Sequence, residues 1–261
     1  MELVYIYHSG FALLGDGFTV IMDYYRDSAD PDAQGALQRL MNGLPESVPP
    51  LQPRGVVHDE ILHRPGKLYV LASHFHPDHF NKEVLEWRTV RPDIVYIFSK
   101  DIWRHRRAAK EDAIWLKKGE EYEDDTLKVR AFGSTDVGVS FLLEAEGKKI
   151  FHAGDLNNWH WKDESTEAEW RGAEKNFLHE VDYLYQYAHE LDIVMFPIDP
   201  RLGKEYMRGA EQLVEKIKIH IFVPMHFAPR FEEANAFRAF AEACGVRFVS
   251  LTHNGQRIKI E

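Results

Sequence analysis

The sequence is short of cysteine: Cys244 is the only one among 261 residues. A single cysteine cannot form an internal disulfide, and its scarcity suits a reducing compartment. Long apolar stretches are also missing. "IVMFPI" at 193–198 is typical of the longest, whereas a membrane-spanning helix needs about 20 apolar residues. The opening "MELVYIYHSG" has neither the basic segment nor the cleavage site of a signal peptide. We therefore expect a cytoplasmic protein that does not enter a membrane.

Positive charge is scarce as well. Lys and Arg number 32 against 42 Asp and Glu, which gives a formal net charge of −10. An acidic chain repels the phosphate backbone, so we do not expect nucleic acid to be the main partner. The stretch "WRHRRAAK" at 103–110 is a basic exception, which we interpret as the solvated face of a helix. A small-molecule substrate is the expected partner, and the sequence leaves homo-oligomer formation open.

Apolar residues are present in the amount that a packed core needs. The hydrophobic content of 44%, with 13% aromatics, excludes a disordered chain. Strand-like patterns fill the first quarter, where Asp16-Gly17 predicts a hairpin turn. From Asp27 to about Pro65 the chain is irregular, with a short helix predicted in "AQGALQRLMNGL". Such a long irregular segment often covers a functional site.

Strands and helices alternate through the rest of the chain. "KLYVLAS" at 67–73 predicts a buried strand, and Glu146-Gly147 predicts a second hairpin. "TEAE" at 166–169 offers a capping box for a long helix. The apolar stripe predicted for that helix consists of Trp170, Ala173, Phe177, Val181, Leu184, Ala188 and Leu191. Further helices are predicted at about 206–217 and 231–243. The mixture predicts an α/β (α+β) protein of one domain, residues 1–261, with two facing sheets and helices outside.

Histidines and an aspartate cluster in "ASHFHPDHF" at residues 72–80, directly after a predicted strand. His74, His76, Asp78 and His79 fall within six positions, and Pro77 stiffens the turn between them. Neutral imidazole and carboxylate are the ordinary ligands of zinc, iron and manganese. A metal site explains this cluster, whereas core packing does not.

Two further strand ends carry the same residue types. "KKIFHAGD" ends on Asp155, and "HIFVPMH" ends on His226. In a layered β-rich fold, strand ends at one edge bring together residues that are distant in sequence. We therefore predict that Asp155 and His226 join the 74–79 cluster.

The succession "IMDYY", "SHFHPDHF", "FHAGD" and "VPMHF" resembles the metallo-β-lactamase fold superfamily over essentially the whole chain. Within it, the sequence is most similar to the L-ascorbate-6-phosphate lactonase-like group of metal-dependent hydrolases. The resemblance implies a four-layer αβ/βα sandwich with a two-metal site at the edge between its sheets. It further implies that His74 and His76 hold the first metal ion.

The same resemblance implies the remaining ligands. Asp78, His79 and His226 would hold the second ion, and Asp155 would bridge the two. Asp23 matches an aspartate that in the family braces the metal-binding loop.

One family ligand is missing, the third histidine of the first site. Its place reads "AFGSTDVGVSF", where Ser134, Thr135 or Asp136 would substitute for it. His152 is a further alternative, although packing behind the ligands suits it better. An oxygen ligand shifts the preference from zinc toward manganese or iron. The expected cofactor is therefore one or two divalent ions, zinc or manganese first and iron next.

The predicted activity is that of a metal-dependent hydrolase. A metal-bound hydroxide would attack an ester, lactone, amide or phosphoester bond of a small metabolite, because a divalent ion lowers the pKa of bound water from about 15.7 to about 7. The sequence contains no Gly-x-Ser-x-Gly, and Cys244 fits packing at a helix end, so we expect no protein nucleophile. The candidate catalytic residues are Asp78 and His8. His8 ends a strand at a family position near the site, as a support behind the ligands or a general acid.

Four residues are predicted to contact the substrate: Trp159, His160, Trp161 and Arg201. The three aromatic residues would line the mouth of the site, unless they pack against the following helix. The arginine would grip a carboxylate or phosphate, unless it forms a salt bridge with Asp199 in its own turn. Two alternative functions stay open. One is a nuclease or phosphodiesterase with the same metal site, and the other is a degenerate metal-binding protein without turnover.

Overall fold

Two seven-stranded sheets face each other in the computed structural model, which describes residues 1–29 and 55–260. The strands are β1 Glu2–Tyr7, β2 Gly10–Leu14, β3 Phe18–Met22, β4 Lys67–Ala72, β5 Val95–Ser99, β6 Ile114–Leu116, β7 Glu121–Glu123, β8 Lys128–Phe132, β9 Ser140–Ala145, β10 Lys148–His152, β11 Glu190–Pro197, β12 Lys218–Met225, β13 Arg247–Phe248 and β14 Arg257–Lys259. The first sheet has the order β14-β1-β2-β3-β4-β5-β6, and the second has the order β13-β12-β11-β10-β9-β8-β7. Strands β3 to β6 run parallel to one another, and so do β10 to β13.

Helices cover the outer faces of both sheets. They are α1 Val56–Asp59, α2 Lys100–Arg104, α3 Glu167–Tyr185, α4 Arg208–Lys216, α5 Phe231–Asn235 and α6 Arg238–Ala243. Short 3-10 turns occur at Ile61–His63, Lys82–Thr89, Lys110–Asp112 and Pro200–Leu202. The order of layers is therefore helix, sheet, sheet, helix, as predicted for the metallo-β-lactamase sandwich.

Alternation along the strands of the first sheet builds two apolar layers. On β1, Leu3 and Tyr5 pack into the core between the sheets, whereas Val4 and Ile6 pack outward. On β4, Tyr69 and Leu71 face inward while their neighbours face outward. Successive side chains of a strand point to opposite faces, so a strand covered on both sides reads as one continuous apolar run.

Both predicted hairpins and the predicted capping box are confirmed. Gly17 has φ +71° in the β2–β3 turn, and Glu146 and Gly147 have φ +50° and +72° between β9 and β10. At the start of α3, the Thr166 hydroxyl accepts from the Glu169 N–H, and the Glu169 carboxylate accepts from the Thr166 N–H. These reciprocal bonds satisfy two helix N–H groups that would otherwise lack partners.

The predicted stripe of α3 is wrong at its carboxyl end. The helix ends at Tyr185, and its buried residues are Phe177, Val181 and Leu184. Leu191 lies in β11, where it pairs with Ile219 of β12. Its seven-residue spacing from Leu184 fits a helix only by coincidence. Hydrogen bonding in the parallel sheet determines that Leu191 is in a strand.

The basic stretch at 103–110 does not form the predicted helix either. Helix α2 ends at Arg104, and Arg106 takes a left-handed conformation with φ +56°. The helix predicted at 231–243 is split into α5 and α6. Strands β6 and β7 have three residues each, and the sequence analysis missed them.

The irregular segment after Asp27 is described only at its two ends. The helix predicted in "AQGALQRLMNGL" lies outside the described residues, and so does most of the predicted cover. At the base of the segment, the buried Asp27 carboxylate accepts from the N–H groups of Val57 and His58. The His58 ring joins it to a second carboxylate, with Nδ1 2.6 Å from Asp27 and Nε2 2.5 Å from Glu83. These two hydrogen bonds raise the pKa of His58 to about 9.

None of the helices within residues 1–29 and 55–260 has the length and apolar content that a bilayer crossing requires.

We expect the His58 bridge to stabilise the fold most below neutral pH. Its pKa of about 9 exceeds the ordinary value of 6.5, so its contribution is complete below pH 6.5 and is lost as the pH rises through 9. His58→Gln should therefore lower the free energy of unfolding by roughly 2 kcal/mol at pH 6.5 and by much less at pH 10. Urea unfolding at both pH values measures this difference, with the exposed His63→Gln as control. An equal deficit at both pH values would contradict the account.

Candidate metal centre

The carboxyl ends of several strands meet at one edge between the two sheets. The residues that directly follow them include His8 after β1, Asp23 after β3, Ser73 after β4 and His226 after β12. Asp155 lies three residues beyond β10, and Asp199 lies two residues beyond β11. The predicted 74–79 cluster therefore meets Asp155 and His226 in space, although each comes from a distant part of the chain.

Left-handed backbone turns direct three of these side chains back to the site. His8, Asp23 and His226 have φ values of +57°, +47° and +61°. Such conformations cost a residue other than glycine roughly 1–3 kcal/mol and persist only where the surroundings enforce them. Each of the three immediately follows a strand, so the chain turns sharply there instead of continuing away from the sheet edge.

The donor atoms form two sets, within each of which all ligand atoms lie within 4.8 Å of one another. The first set consists of His74, His76, Asp136 and Asp155. The second set consists of His8, Asp78, His79 and His226. We call them the first set and the second set below.

Asp155 lies between the two sets and offers one oxygen to each. Its Oδ2 is 3.4 Å from His74 Nε2 in the first set. Its Oδ1 is 3.0 Å from His79 Nε2 and 3.4 Å from His226 Nε2 in the second set. This is the arrangement of a carboxylate that can bridge two ions.

Three buried donor atoms at the centre have no hydrogen-bond partner among the described residues: His8 Nε2, His79 Nε2 and Asp155 Oδ1. A buried polar atom without a partner costs about 1–3 kcal/mol, so three in one place require an explanation. His79 Nε2 and Asp155 Oδ1 are close but not oriented for a hydrogen bond to each other. A cation between them would satisfy all three atoms, and imidazole with carboxylate is a donor set that divalent metals bind. The residues therefore fit the metal that the sequence predicts.

The outer nitrogens of three imidazoles are held by hydrogen bonds. His79 Nδ1 is 2.7 Å from Asp23, and His226 Nδ1 is 3.1 Å from Asp199. The Ser73 hydroxyl lies 2.6 Å from Asp23 and 2.9 Å from His74 Nδ1. Ser73 donates its one proton to the carboxylate, so His74 must donate from Nδ1. In all three rings Nε2 is then the nitrogen that faces the site, and that of His74 also lies 3.1 Å from His76 Nδ1. Such hydrogen bonds to the outer nitrogen are the usual support of metal-bound histidines.

Charge at the centre is arranged for a cation. Burial alone would raise the pKa of Asp155, but His79, His226 and His74 hold it well below its usual range. Burial likewise opposes ionisation of Asp23, yet His152 and His79 lower its pKa. Burial lowers the pKa of His8 to about 4, which keeps this ring neutral. Burial also opposes charge on His79, but Asp155 and Asp23 raise the pKa of this ring well above its usual value. A metal ion bound at His79 would therefore displace a proton, as metal binding to histidine generally does.

Of the three residues predicted to substitute for the missing histidine, Asp136 is the one that belongs to a donor set. Its Oδ2 is 3.5 Å from His76 Nδ1, which places it in the first set. Ser134 lies outside both sets and accepts from the Asp136 N–H. Thr135 is engaged with the backbone of Asn157 at 2.5 and 3.0 Å. His152 is buried, with Nε2 2.8 Å from the Ser9 carbonyl, so it packs behind the ligands.

An open cavity of about 350 Å³ leads to the donor sets, and three of the four predicted substrate contacts line it. Trp159 and Trp161 lie nearly parallel, 6.4 Å apart, and Trp159 meets the His226 ring edge-on. Arg201 also lines the cavity, while its guanidinium pairs with Asp199 at 2.5–2.9 Å. Both predicted roles of Arg201 therefore remain compatible with its position.

His160 does not line the cavity, which agrees with the packing alternative for this residue. Its side chain is buried, with Nε2 3.1 Å from the Glu205 carbonyl and Nδ1 accepting from the Lys162 N–H. The residue between Trp159 and Trp161 points away from the cavity that both of them face.

The sequence analysis did not predict the role of Ser73 or the hydrogen bond between His226 and Asp199. Only their positions next to strand ends could have indicated these contacts.

The helix–sheet–sheet–helix architecture, with histidine and aspartate donors at its sheet edge, is that of the metallo-β-lactamase fold. A family model described as "Beta-lactamase superfamily domain" matches residues 2–226, and the chain belongs to this family. No curated protein matches the chain.

Solved structures share this fold. The metallo hydrolase Igni18 from the archaeon Ignicoccus hospitalis is 16% identical with a TM-score of 0.62, covering 98% of this chain and 97% of its own. CmlA, a diiron β-hydroxylase from Streptomyces venezuelae, is 13% identical with a TM-score of 0.64, covering 99% of this chain and 54% of its own. An isothiocyanate hydrolase from Delia radicum gut bacteria is 14% identical with a TM-score of 0.54, covering 99% of each chain. At these identities the likeness concerns the fold alone.

We expect Asp199→Asn to weaken binding of a divalent ion by roughly 10- to 100-fold, because a neutral amide polarises the His226 ring less than a carboxylate does. Zinc titration against a competing chelator measures the affinity. Asp192→Asn is the matched control. Asp192 lies near the amino end of β11, whereas Asp199 follows its carboxyl end. The Asp192 carboxylate accepts from the Lys149 N–H and belongs to neither donor set. An Asp199→Asn protein that binds zinc like the wild type would show that this carboxylate does not orient His226.

Proposed function

We propose that the protein is a metal-dependent hydrolase of a small anionic metabolite, acting on an ester, lactone, amide or phosphoester bond. The observation that supports this most is the Asp155 carboxylate, whose two oxygens face different donor sets below an open cavity. Such a site suits two divalent ions, and zinc or manganese are the leading candidates. When bound, the ions would supply a Lewis acid and lower the pKa of water so that hydroxide is available at neutral pH.

The protein's own residues would position and enclose the reaction. Asp78 and Asp136 extend into the cavity from opposite donor sets, where their carboxylates can accept hydrogen bonds from water. Trp159 and Trp161 give one wall an apolar surface that excludes water from the scissile bond. No serine or cysteine lines the cavity among the described residues, and the Thr135 hydroxyl is engaged with the backbone. These features favour water over a protein side chain as the nucleophile.

Arg201 would select for an anionic substrate. Its side chain is 58% exposed at the cavity, while Nε and Nη2 pair with Asp199. The remaining face of the guanidinium is available for a carboxylate or phosphate, which it recognises by geometry as well as charge. We include lactones among the proposed substrates because the sequence resembles the lactonase-like group.

A second candidate function is oxidative chemistry at two iron ions. Asp136 gives the first set two carboxylates and two imidazoles, a composition that suits iron as well as manganese. The similarly folded CmlA is named a diiron β-hydroxylase. Iron in the purified protein, together with dioxygen consumption and no hydrolysis, would favour this candidate.

The two alternatives drawn from the sequence have less support. The nuclease rests on a basic stretch of which only the first two residues lie in an α-helix. Binding of labelled RNA that is lost at moderate salt would favour it. The non-catalytic alternative rests on the missing histidine, whose place Asp136 can fill.

The proposal predicts that Asp155 is indispensable for turnover. In assays of chromogenic esters, lactones and phosphodiesters with zinc or manganese, Asp155→Asn should lower kcat/KM by roughly 100-fold or more, because the shared ligand is lost. The exposed Asp59→Asn is the control for a change of charge alone. Full activity in Asp155→Asn, or metal loading of wild type with no activity on any of these bonds, would contradict the proposed reaction.

Arg201→Gln should raise KM for an anionic ester by roughly tenfold and change kcat and the KM for a neutral ester little. A charge-assisted hydrogen bond contributes about 1.5–3 kcal/mol. The metal content of the variant and the wild type must be compared as well, because Asp199 accepts hydrogen bonds from both Arg201 and His226. Arg171→Gln, on the exposed surface of α3, is the matched control. Equal KM effects on charged and neutral esters would rule out anion recognition by Arg201.

A further inference from the structure

His8 is fixed at the metal centre by its backbone. Its N–H donates to the Tyr5 hydroxyl at 3.0 Å, and its carbonyl accepts from the His226 N–H at 3.1 Å. The second contact joins the end of β1 in the first sheet to the end of β12 in the second. With φ +57°, His8 is held in a left-handed turn that directs its ring to the His226 ring, 4.3 Å away.

The ring presents Nε2 to the second set. This atom lies 3.4 Å from Asp78 Oδ2 and within 4.8 Å of the donor atoms of His79 and His226. It is buried without a hydrogen-bond partner in residues 1–29 and 55–260, like His79 Nε2 and Asp155 Oδ1. Two of these atoms belong to the second set, and the third lies 3.0 Å from His79 Nε2. Partnerless donor atoms grouped in this way indicate a shared ion more than separate defects in the packing.

A role as general acid fits this position less well. A proton donor must lie within hydrogen-bond reach of the leaving group, directly or through one water. His8 does not line the cavity, and its side chain is 14% exposed. Asp78, whose carboxylate lies 3.4 Å from His8 Nε2, lines the cavity in its place.

We infer that His8 is a metal ligand through Nε2, a role that completes the second set. That set would then hold three imidazoles and the Asp78 carboxylate, with Asp155 Oδ1 as a further donor. The first set holds two imidazoles, Asp136 and Asp155 Oδ2. With Asp155 shared, the second set would offer five protein donors and the first set four. An ion enclosed by protein donors is typical of a structural site, whereas a catalytic ion keeps a position for water or substrate.

The two sets therefore differ in function. In the second set the three histidines are 0–14% exposed and only Asp78, at 40%, is open to the cavity. In the first set both His76 and Asp136 are open to it, at 35% and 44%. The second set would bind its ion tightly and hold the sheet ends together. The first set would bind an exchangeable ion that meets the substrate. This division rests on the proposed function only in requiring that metal ions bind.

Zinc binding to the full chain tests the inference without an activity assay. Wild type should bind two equivalents, one at least tenfold more tightly than the other. His8→Ala should weaken the tighter binding step at least tenfold and leave the weaker step unchanged. Asp136→Ala, the matched variant of the other set, should weaken only the looser step. Unchanged binding constants in His8→Ala, or loss of both steps together, would overturn the ligand role.

Histidine nitrogen NMR of the wild type keeps the test independent of variant folding. His8→Gln, which retains a polar side chain, serves to identify the His8 signal. Saturation with zinc should move His8 Nε2 to a metal-bound shift, whereas a supporting or acid role would leave it at a neutral or protonated shift and overturn the inference. A wild type that binds no ion would overturn this inference and the proposed function together. Two bound ions without hydrolysis would leave the inference standing and remove the proposed reaction.

Discussion

The carboxylate of Asp155 is shared between two groups of imidazoles, and the geometry of the site depends on this sharing. One oxygen faces His74, and the other faces His79 and His226. Because Asp155 follows a strand of the second sheet and His74 follows a strand of the first, the pairing requires both sheets to be correctly packed. The apolar core between the sheets thus fixes the distance between groups that come from different parts of the chain.

Hydrogen bonds behind the candidate ligands stabilise the left-handed turns and the buried polar side chains at this edge. Asp23 is fully buried and accepts from Ser73 and His79, and Asp199 accepts from His226 and Arg201. These bonds hold the ring planes, but they leave His79 Nε2, His8 Nε2 and Asp155 Oδ1 at the centre without hydrogen-bond partners among the described residues. A network that is satisfied on its outer side and not at its centre is typical of a site built for an ion.

Much of this arrangement is predictable from local sequence, and the rest is not. The 74–79 cluster is contiguous, so a single turn suffices to bring its side chains together, and the capping box of α3 involves only neighbours. Leu191 shows where periodicity fails, because pairing with Ile219 in the sheet overrides a helical spacing. His160 shows a similar limit, since neighbouring side chains in a turn need not share a face. The bonds of Ser73 and Asp199, and the direction of the His8 ring, depend on strands that meet only in the folded chain.

The central claim is that histidines and aspartates from both sheets surround metal ions. Anomalous diffraction at the zinc, manganese and iron edges, from a crystal grown without chelator, tests it most directly. The account predicts two anomalous peaks, one among His74, His76 and Asp136 and one among His8, Asp78, His79 and His226, with Asp155 between them. The absence of any peak at this edge after soaking with each of the three metals would contradict the account.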